Sequence, residues 1–356
     1  MKQQINISIT GLGVYLTIML LGLMLSGCTG AEPTSKALSA TDTPEAVALE
    51  KPKILFINSY HEGYEWSDGI LGGVMDVLNV KRDDQGALDS SNSKAELSVI
   101  YMDTKRNQSE EFMEQAVEEA KSTIETVQPD LVITSDDNAA KYLISPYYKD
   151  SDLPVVFTGV NWSAESYGFP ADNVTGMLEV ILVPQIVETL SQHAKGDRIG
   201  YIKGDDASAR KDAETFKSVF GVELVEKYVN NFDEWKTAYI ALQTESDMIL
   251  VGNFISVEGF DEAEAKQFIA ENTTVPTGNW DDWIKDYTLV TYANKPTEQG
   301  EWAAEQALLI LDGTSPADIP LVTNQKAKIY LNMPLAKQLG IQFPVELVEQ
   351  AMLITE

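Results

Sequence analysis

Short apolar runs alternate with amphipathic stretches along most of this chain, and that alternation leaves few folds open. Ile54-Leu55-Phe56-Ile57 is continuously apolar, as a strand buried on both faces requires. Residues 66–78 follow with the helical spacing of Trp66, Ile70, Val74, Val77 and Leu78. Residues 97–101 read as the next strand. Residues 107–127 predict an amphipathic helix: Phe112, Met113, Ala116, Val117, Ala120 and Ile124 form one stripe, and glutamates cover the other face. Residues 131–133 and 155–157 are two more apolar runs. Strand alternating with helix implies a parallel sheet with right-handed crossovers.

The pattern pauses between Asn161 and Asn173, then restarts. Strands are expected at 199–202, 222–225, 248–251, 275–277 and 289–291, with helices at 207–219, 235–242 and 258–269 between them. A helix at 298–311 ends at Asp312-Gly313, where glycine suits the left-handed position past a helix end. Ile319-Pro320 reads as a linker, 328–331 as a last strand, and short helices begin near Pro334 and Val345. The fold class is therefore α/β, with two doubly wound parallel-sheet lobes of similar size. The two halves share a pattern but no sequence repeat.

With 356 residues the chain has room for two such units, and a hydrophobic content of 44% is that of a globular protein. The formal charge of -29 excludes nucleic acid and anionic lipid headgroups as natural partners. Leu25-Ser26-Gly27-Cys28 closes an uncharged run from Ile5 to Met24 and carries the sole cysteine. This layout resembles the lipobox of bacterial lipoproteins, which implies a signal peptide at 1–27, a Cys28 that is lipidated and becomes the first residue, and a flexible tether at 28–52. The run is also long enough to span a bilayer, which is the alternative reading. Lipidation would place the protein outside the cytoplasmic membrane, held by acyl chains.

Several stretches resemble one family. The segment from Ile54 through Asn58-Ser59-Tyr60-His61-Glu62-Gly63 to Asp68 is similar to the first strand and loop of periplasmic binding proteins of the type I fold, in particular the ABC transporter substrate-binding family. Pro129-Asp130-Leu131-Val132, Leu153-Pro154-Val155, Ile310-Leu311-Asp312-Gly313 and Tyr330-Leu331-Asn332-Met333-Pro334-Leu335 continue the likeness in the right order. The resemblance implies two lobes joined by a hinge with three crossings. The first lobe would hold 53–160 plus 287–315, and the second 161–286 plus 316–356. It also implies a small molecule (an amino acid, sugar or other polar metabolite) bound between lobes of a monomer and handed to an ABC permease. A ligand-sensing partner of a membrane receptor would share this fold.

Ligands of open parallel sheets bind beyond the carboxyl ends of the strands. Reading those ends gives Ser59, Tyr60 and His61 after the first strand, and Asp136, Asp137 and Asn138 after the third. Asn161 and Trp162 follow the fourth. Asp205, Asn253, Asn279, Trp280 and Asp281 occupy the ends in the second half. Hydrogen-bonding groups beside flat aromatic faces suit a small polar ligand with an apolar face. Plainer roles compete: Asp137, Asp206 and Asp281 can cap helices, and Asn138 and Asn253 can satisfy turns. Trp66, Trp235, Trp283 and Trp302 read as packing residues. Acidic ends without a following arginine favour an amine-bearing or aromatic ligand, although Arg106, Arg198 and Arg210 can reach in from elsewhere.

Enzymatic signatures are missing from the sequence. The two histidines, His61 and His193, stand far apart, and His61-Glu62 lacks the second histidine of a zinc-protease helix. Neither a nucleophile elbow nor a phosphate-binding lysine loop is present. Ser59 near His61 could form a nucleophile-base pair with an aspartate, which leaves an enzyme as an alternative; the expectation is a binding protein without catalytic residue, metal or cofactor.

Overall fold

Ile54, Leu55, Phe56 and Ile57 are fully buried in the strand Lys53–Asn58, whose two faces pack into different hydrophobic clusters. The computed structural model describes residues 50–355. The leader, Cys28 and the tether as far as residue 49 lie outside the described residues.

Two sheets organise the chain. In the six-stranded sheet the order is Val322–Thr323, Val174–Glu179, Val155–Asn161, Leu131–Ser135, Lys53–Asn58 and Glu96–Tyr101, and every pairing is parallel. In the seven-stranded sheet the order is Ala351–Ile354, Ala327–Asn332, Val290–Asn294, Thr277–Asn279, Met248–Val251, Ile199–Gly204 and Leu224–Val229. Only the pairing of Val290–Asn294 with Ala327–Asn332 is antiparallel. In each sheet the first strand lies between the second and third, so the strand order reverses there. Such reversals open a crevice at the strand ends.

The chain passes between the sheets three times, through residues 180–182, Lys295 and residues 324–326. Sheet membership differs from the expected boundaries. Val174–Glu179 extends the first sheet, although 161–286 was assigned to the second lobe. Its pattern is broken by Gly176, which lies flat on the Phe157 ring; a Cβ there would sit 2.4 Å from ring carbons. Val290–Asn294 belongs to the second sheet despite its assignment to the first lobe, because its backbone pairs with Thr277–Asn279 and Ala327–Asn332. Val322–Thr323 returns to the first sheet, where the open edge of Val174–Glu179 pairs Val322 with Met177.

The crossings are stitched by two asparagines. Asn294 Nδ2 donates to the Val180 carbonyl (3.1 Å), and its Oδ1 accepts from Asn324 Nδ2 (3.0 Å). Asn324 Oδ1 accepts from the Val180 amide at 2.7 Å. Asn324 is 1% exposed, so these bonds are shielded from competing water. Glu298 adds a clamp, its carboxylate accepting the amides of Gln325 (2.9 Å) and Lys326 (2.7 Å).

Helices Glu65–Leu78 and Pro296–Leu311 cross at glycines in the first lobe. A Cβ on Gly300 would lie 1.9 Å from the Ile70 carbonyl oxygen, and one on Gly73 would lie 2.3 Å from that of Thr297. Backbone therefore rests on backbone at this crossing. In the second lobe Trp235, Tyr201 and Tyr239 are fully buried, and Trp235 stacks on Tyr239 with ring centroids 4.9 Å apart.

Candidate functional site

A cleft of about 510 Å³ opens between the lobes and is lined from both. Tyr60, Tyr64, Trp66, Lys105, Asp136 and Asn161 come from the first lobe, and Glu179 from the strand that leads into the first crossing. Trp280, Asp281, Asp282, Trp283 and Lys328 come from the second, beside Asn294 of the hinge.

Asp136 is its most constrained member. The strand Leu131–Ser135 delivers it at a left-handed backbone angle (φ +66°), uncommon outside glycine and tolerated by aspartate. Gly159 leaves room beside it; a Cβ there would stand 3.1 Å from Asp136 Oδ1. Only 2% of Asp136 is exposed, and Oδ1 accepts from the Trp66 indole nitrogen at 3.0 Å. Oδ2 is buried without any partner among the described residues. A buried, half-satisfied carboxylate is costly when ionised. Burial, helped by the charge of Asp137, accordingly pushes its pKa up to about 7.

Glu179, half-buried at the end of its strand, is perturbed in the same direction. Loss of solvent around its carboxyl, with Asp136 as the next cause, pushes it up to about 8 against one hydrogen bond from Asn294 Nδ2 (3.3 Å). Burial also raises Asp281. The Tyr60 hydroxyl is held above its ordinary range by burial and by the nearby charges of Asp136, Asp137 and Glu179. Tyr60 and Tyr64 stand edge to face, 5.5 Å apart, and the Lys105 ammonium rests 4.5 and 4.6 Å from their ring centroids. The aromatic wall thus already accommodates an ammonium group.

Of the residues proposed from sequence, Tyr60, Asp136, Asn161, Trp280 and Asp281 line this cleft. The others have different occupations. Ser59 is fully buried, donating to the Ser135 carbonyl and accepting from the Ala139 amide. His61 lies 3.7 Å from Asp103. Asp137 accepts from Asn161 Nδ2 (2.7 Å) and Tyr167 hydroxyl (2.8 Å), bracing the cleft wall from behind. Asn138 donates to Thr104, and Trp162 packs on Phe216 and Phe220. Asp205 pairs with Arg210 at 2.6 Å. Asn279 is fully buried, donating to Thr291 and accepting the Asp281 amide, while Asn253 donates to Asp281 at 3.4 Å. Of the three aspartates weighed as caps, only Asp206 caps a helix, accepting from Ala209.

Trp66 and Trp283 face the cleft instead of serving only as packing residues. Each stands beside a helix start, where one ring can serve both purposes. Arg106, Arg198 and Arg210 are tied to Asp103, Asp247 and Asp205 and do not line the cleft. Glu179 and Lys105 were not anticipated. Lys105 follows the second strand of the first lobe, an end that the same strand-end rule covers. Among the described residues no group of His, Cys, Asp or Glu is arranged to hold a metal ion, and no helix is long and apolar enough to cross a membrane.

The sequence profile of a family described as ABC transporter substrate binding protein matches residues 84–354. The chain belongs to that family. Solved structures share the fold of this substrate-binding protein. A ligand-free, open substrate-binding protein with adhesive properties from Clostridium difficile is 18% identical, with TM-score 0.63 over 85% of this chain and 99% of that one. An ABC domain from Streptococcus pneumoniae in complex with L-Trp is 19% identical, with TM-score 0.50 over 86% and 100%. A conserved domain protein from Vibrio cholerae is 18% identical, with TM-score 0.51 over 86% and 100%. No curated protein matches this sequence. The substrate-binding protein therefore has the type I periplasmic binding fold, and its family is one of binding proteins rather than enzymes.

Proposed function

We propose that this chain is an extracytoplasmic, lipid-anchored protein that captures a small amine-bearing molecule with an apolar portion and delivers it intact to an ABC permease. The observation that carries the ligand class is Asp136: an almost inaccessible carboxylate that lines a cleft walled by tyrosine and tryptophan, its Oδ2 without a partner among the described residues. An ammonium group supplies the missing donor and stabilises the ionised form at once. The L-Trp of the Streptococcus pneumoniae neighbour is a molecule of this description. Family membership supports the transport role, and Leu25-Ser26-Gly27-Cys28 supports the lipid anchor. Ligand favours closure only by its preference for the closed state, in which both lobes touch it.

Amine binding is expected to depend on pH with a definite sign. In the empty cleft Asp136 keeps its proton up to about pH 7 and Glu179 up to about pH 8. An ammonium between them needs one of these groups ionised, so binding expels a proton below those values. Apparent affinity for an amine should rise by up to about tenfold per pH unit from pH 6 to pH 8 and then level off. Calorimetric titration at each pH, after a thermal-shift screen of amines, measures this directly. Affinity that is flat or falls over that range contradicts the carboxylate reading.

A further inference from the structure

We infer that the natural ligand carries two separated cationic groups and no carboxylate, a diamine-type solute gripped by one lobe at each end. The inference rests on the amine reading above and concerns the charges that line the cleft. Five carboxylates (Glu65, Asp136, Glu179, Asp281 and Asp282) and two lysines line it, and no arginine does. Lys328 is satisfied by Glu65 at 3.3 Å and Asp282 at 3.7 Å. Lys105 rests on two tyrosine faces and makes no ion pair among the described residues. Lys203, whose charge reaches Asp281, is held by Asp212 at 2.7 Å.

Asp136, Glu179 and Asp281 make no ion pair among the described residues, although the Lys105 charge reaches Asp136 and Glu179. Their hydrogen bonds come from neutral donors: Trp66 to Asp136, Asn294 to Glu179 and Asn253 to Asp281. These carboxylates form two centres, Asp136 with Glu179 on the first lobe and Asp281 on the second. A single ammonium at Asp136 leaves Asp281 unmet, and a ligand carboxylate would add a further negative charge to an acidic enclosure. A ligand with an ammonium at each end meets both centres. Its methylenes then lie against Tyr60 and Trp66 on one side and Trp280 and Trp283 on the other, and each ammonium gains an aromatic face. Bridging of this kind also links ligand length to lobe closure.

The test is calorimetric titration of the full chain at pH 8 with putrescine, cadaverine and spermidine, against n-butylamine and L-phenylalanine. At least one of the three polyamines should bind about 30-fold more tightly than n-butylamine. Asp281→Asn should bring that compound down to the n-butylamine level and leave n-butylamine within about threefold of its original affinity, whereas Asp136→Asn should weaken both. Equal binding of n-butylamine and the polyamines, or tighter binding of L-phenylalanine, overturns the two-cation inference and leaves the amine reading standing. Failure of every amine to bind overturns that reading as well. Should Asp281→Asn not fold, the ligand series on the unaltered chain decides alone.

Discussion

Asparagine in place of Asp136 is expected to weaken amine binding by about two orders of magnitude while making the empty protein more stable. The two effects share one cause. Asp136 is buried with an oxygen unpartnered among the described residues, and a buried charge of this kind is costly until a cation meets it. Removing one partner of a buried charge pair typically costs about 2–5 kcal/mol of affinity. Without ligand the signs reverse. A carboxyl whose folded pKa is raised loses stability as pH rises from its unfolded value near 4 through its folded value of about 7. At pH 8 that loss is on the order of a few kcal/mol, and the asparagine variant escapes it. Melting temperature at pH 8 should therefore rise by several degrees, and the gap between variant and parent should narrow toward pH 5. A structural aspartate would behave oppositely, losing stability on substitution with little pH dependence.

Gly300→Ala should be among the most damaging single changes in the first lobe. The added methyl would fall 1.9 Å from the Ile70 carbonyl oxygen and 2.9 Å from the Val74 amide nitrogen, both of them backbone. No side chain can rotate away, so helices Glu65–Leu78 and Pro296–Leu311 must separate. Overpacking of this kind costs about 3 kcal/mol or more. The expected fall in melting temperature is about 10 °C. Gly72→Ala in the partner helix is the control, because a Cβ there meets nothing within 4 Å. It should be neutral or stabilise by up to about 1 kcal/mol through helix propensity. Denaturant midpoints of the two variants measure the contrast, and equal midpoints would contradict the close crossing. Trp66 and Pro296 line the cleft from these same two helices, so the damage should reach the site as well.

Much of this architecture is legible in the residues. Met248–Val251 is legible to the residue because four apolar side chains in a row, two of them β-branched, suit a strand covered on both faces. Val174–Glu179 escaped because Gly176 interrupts its apolar run, and the reason for that glycine, the Phe157 ring beneath it, lies in a neighbouring strand. Glu179 was lost with its strand. Strand-end reasoning found Asp136, Trp280 and Asp281, yet it also selected Ser59 and Asn279, which satisfy their own lobes. A polar group is needed at a strand end whether or not a ligand is present, and only the three-dimensional arrangement tells which atoms are already satisfied.

A crystal structure of the chain with a bound amine identified by thermal shift tests the central claim most directly. The amine nitrogen is predicted within about 3 Å of Asp136 Oδ2, with the rest of the molecule enclosed by aromatic side chains of both lobes. An amine bound elsewhere on the surface, with Asp136 Oδ2 still unpartnered, would contradict it.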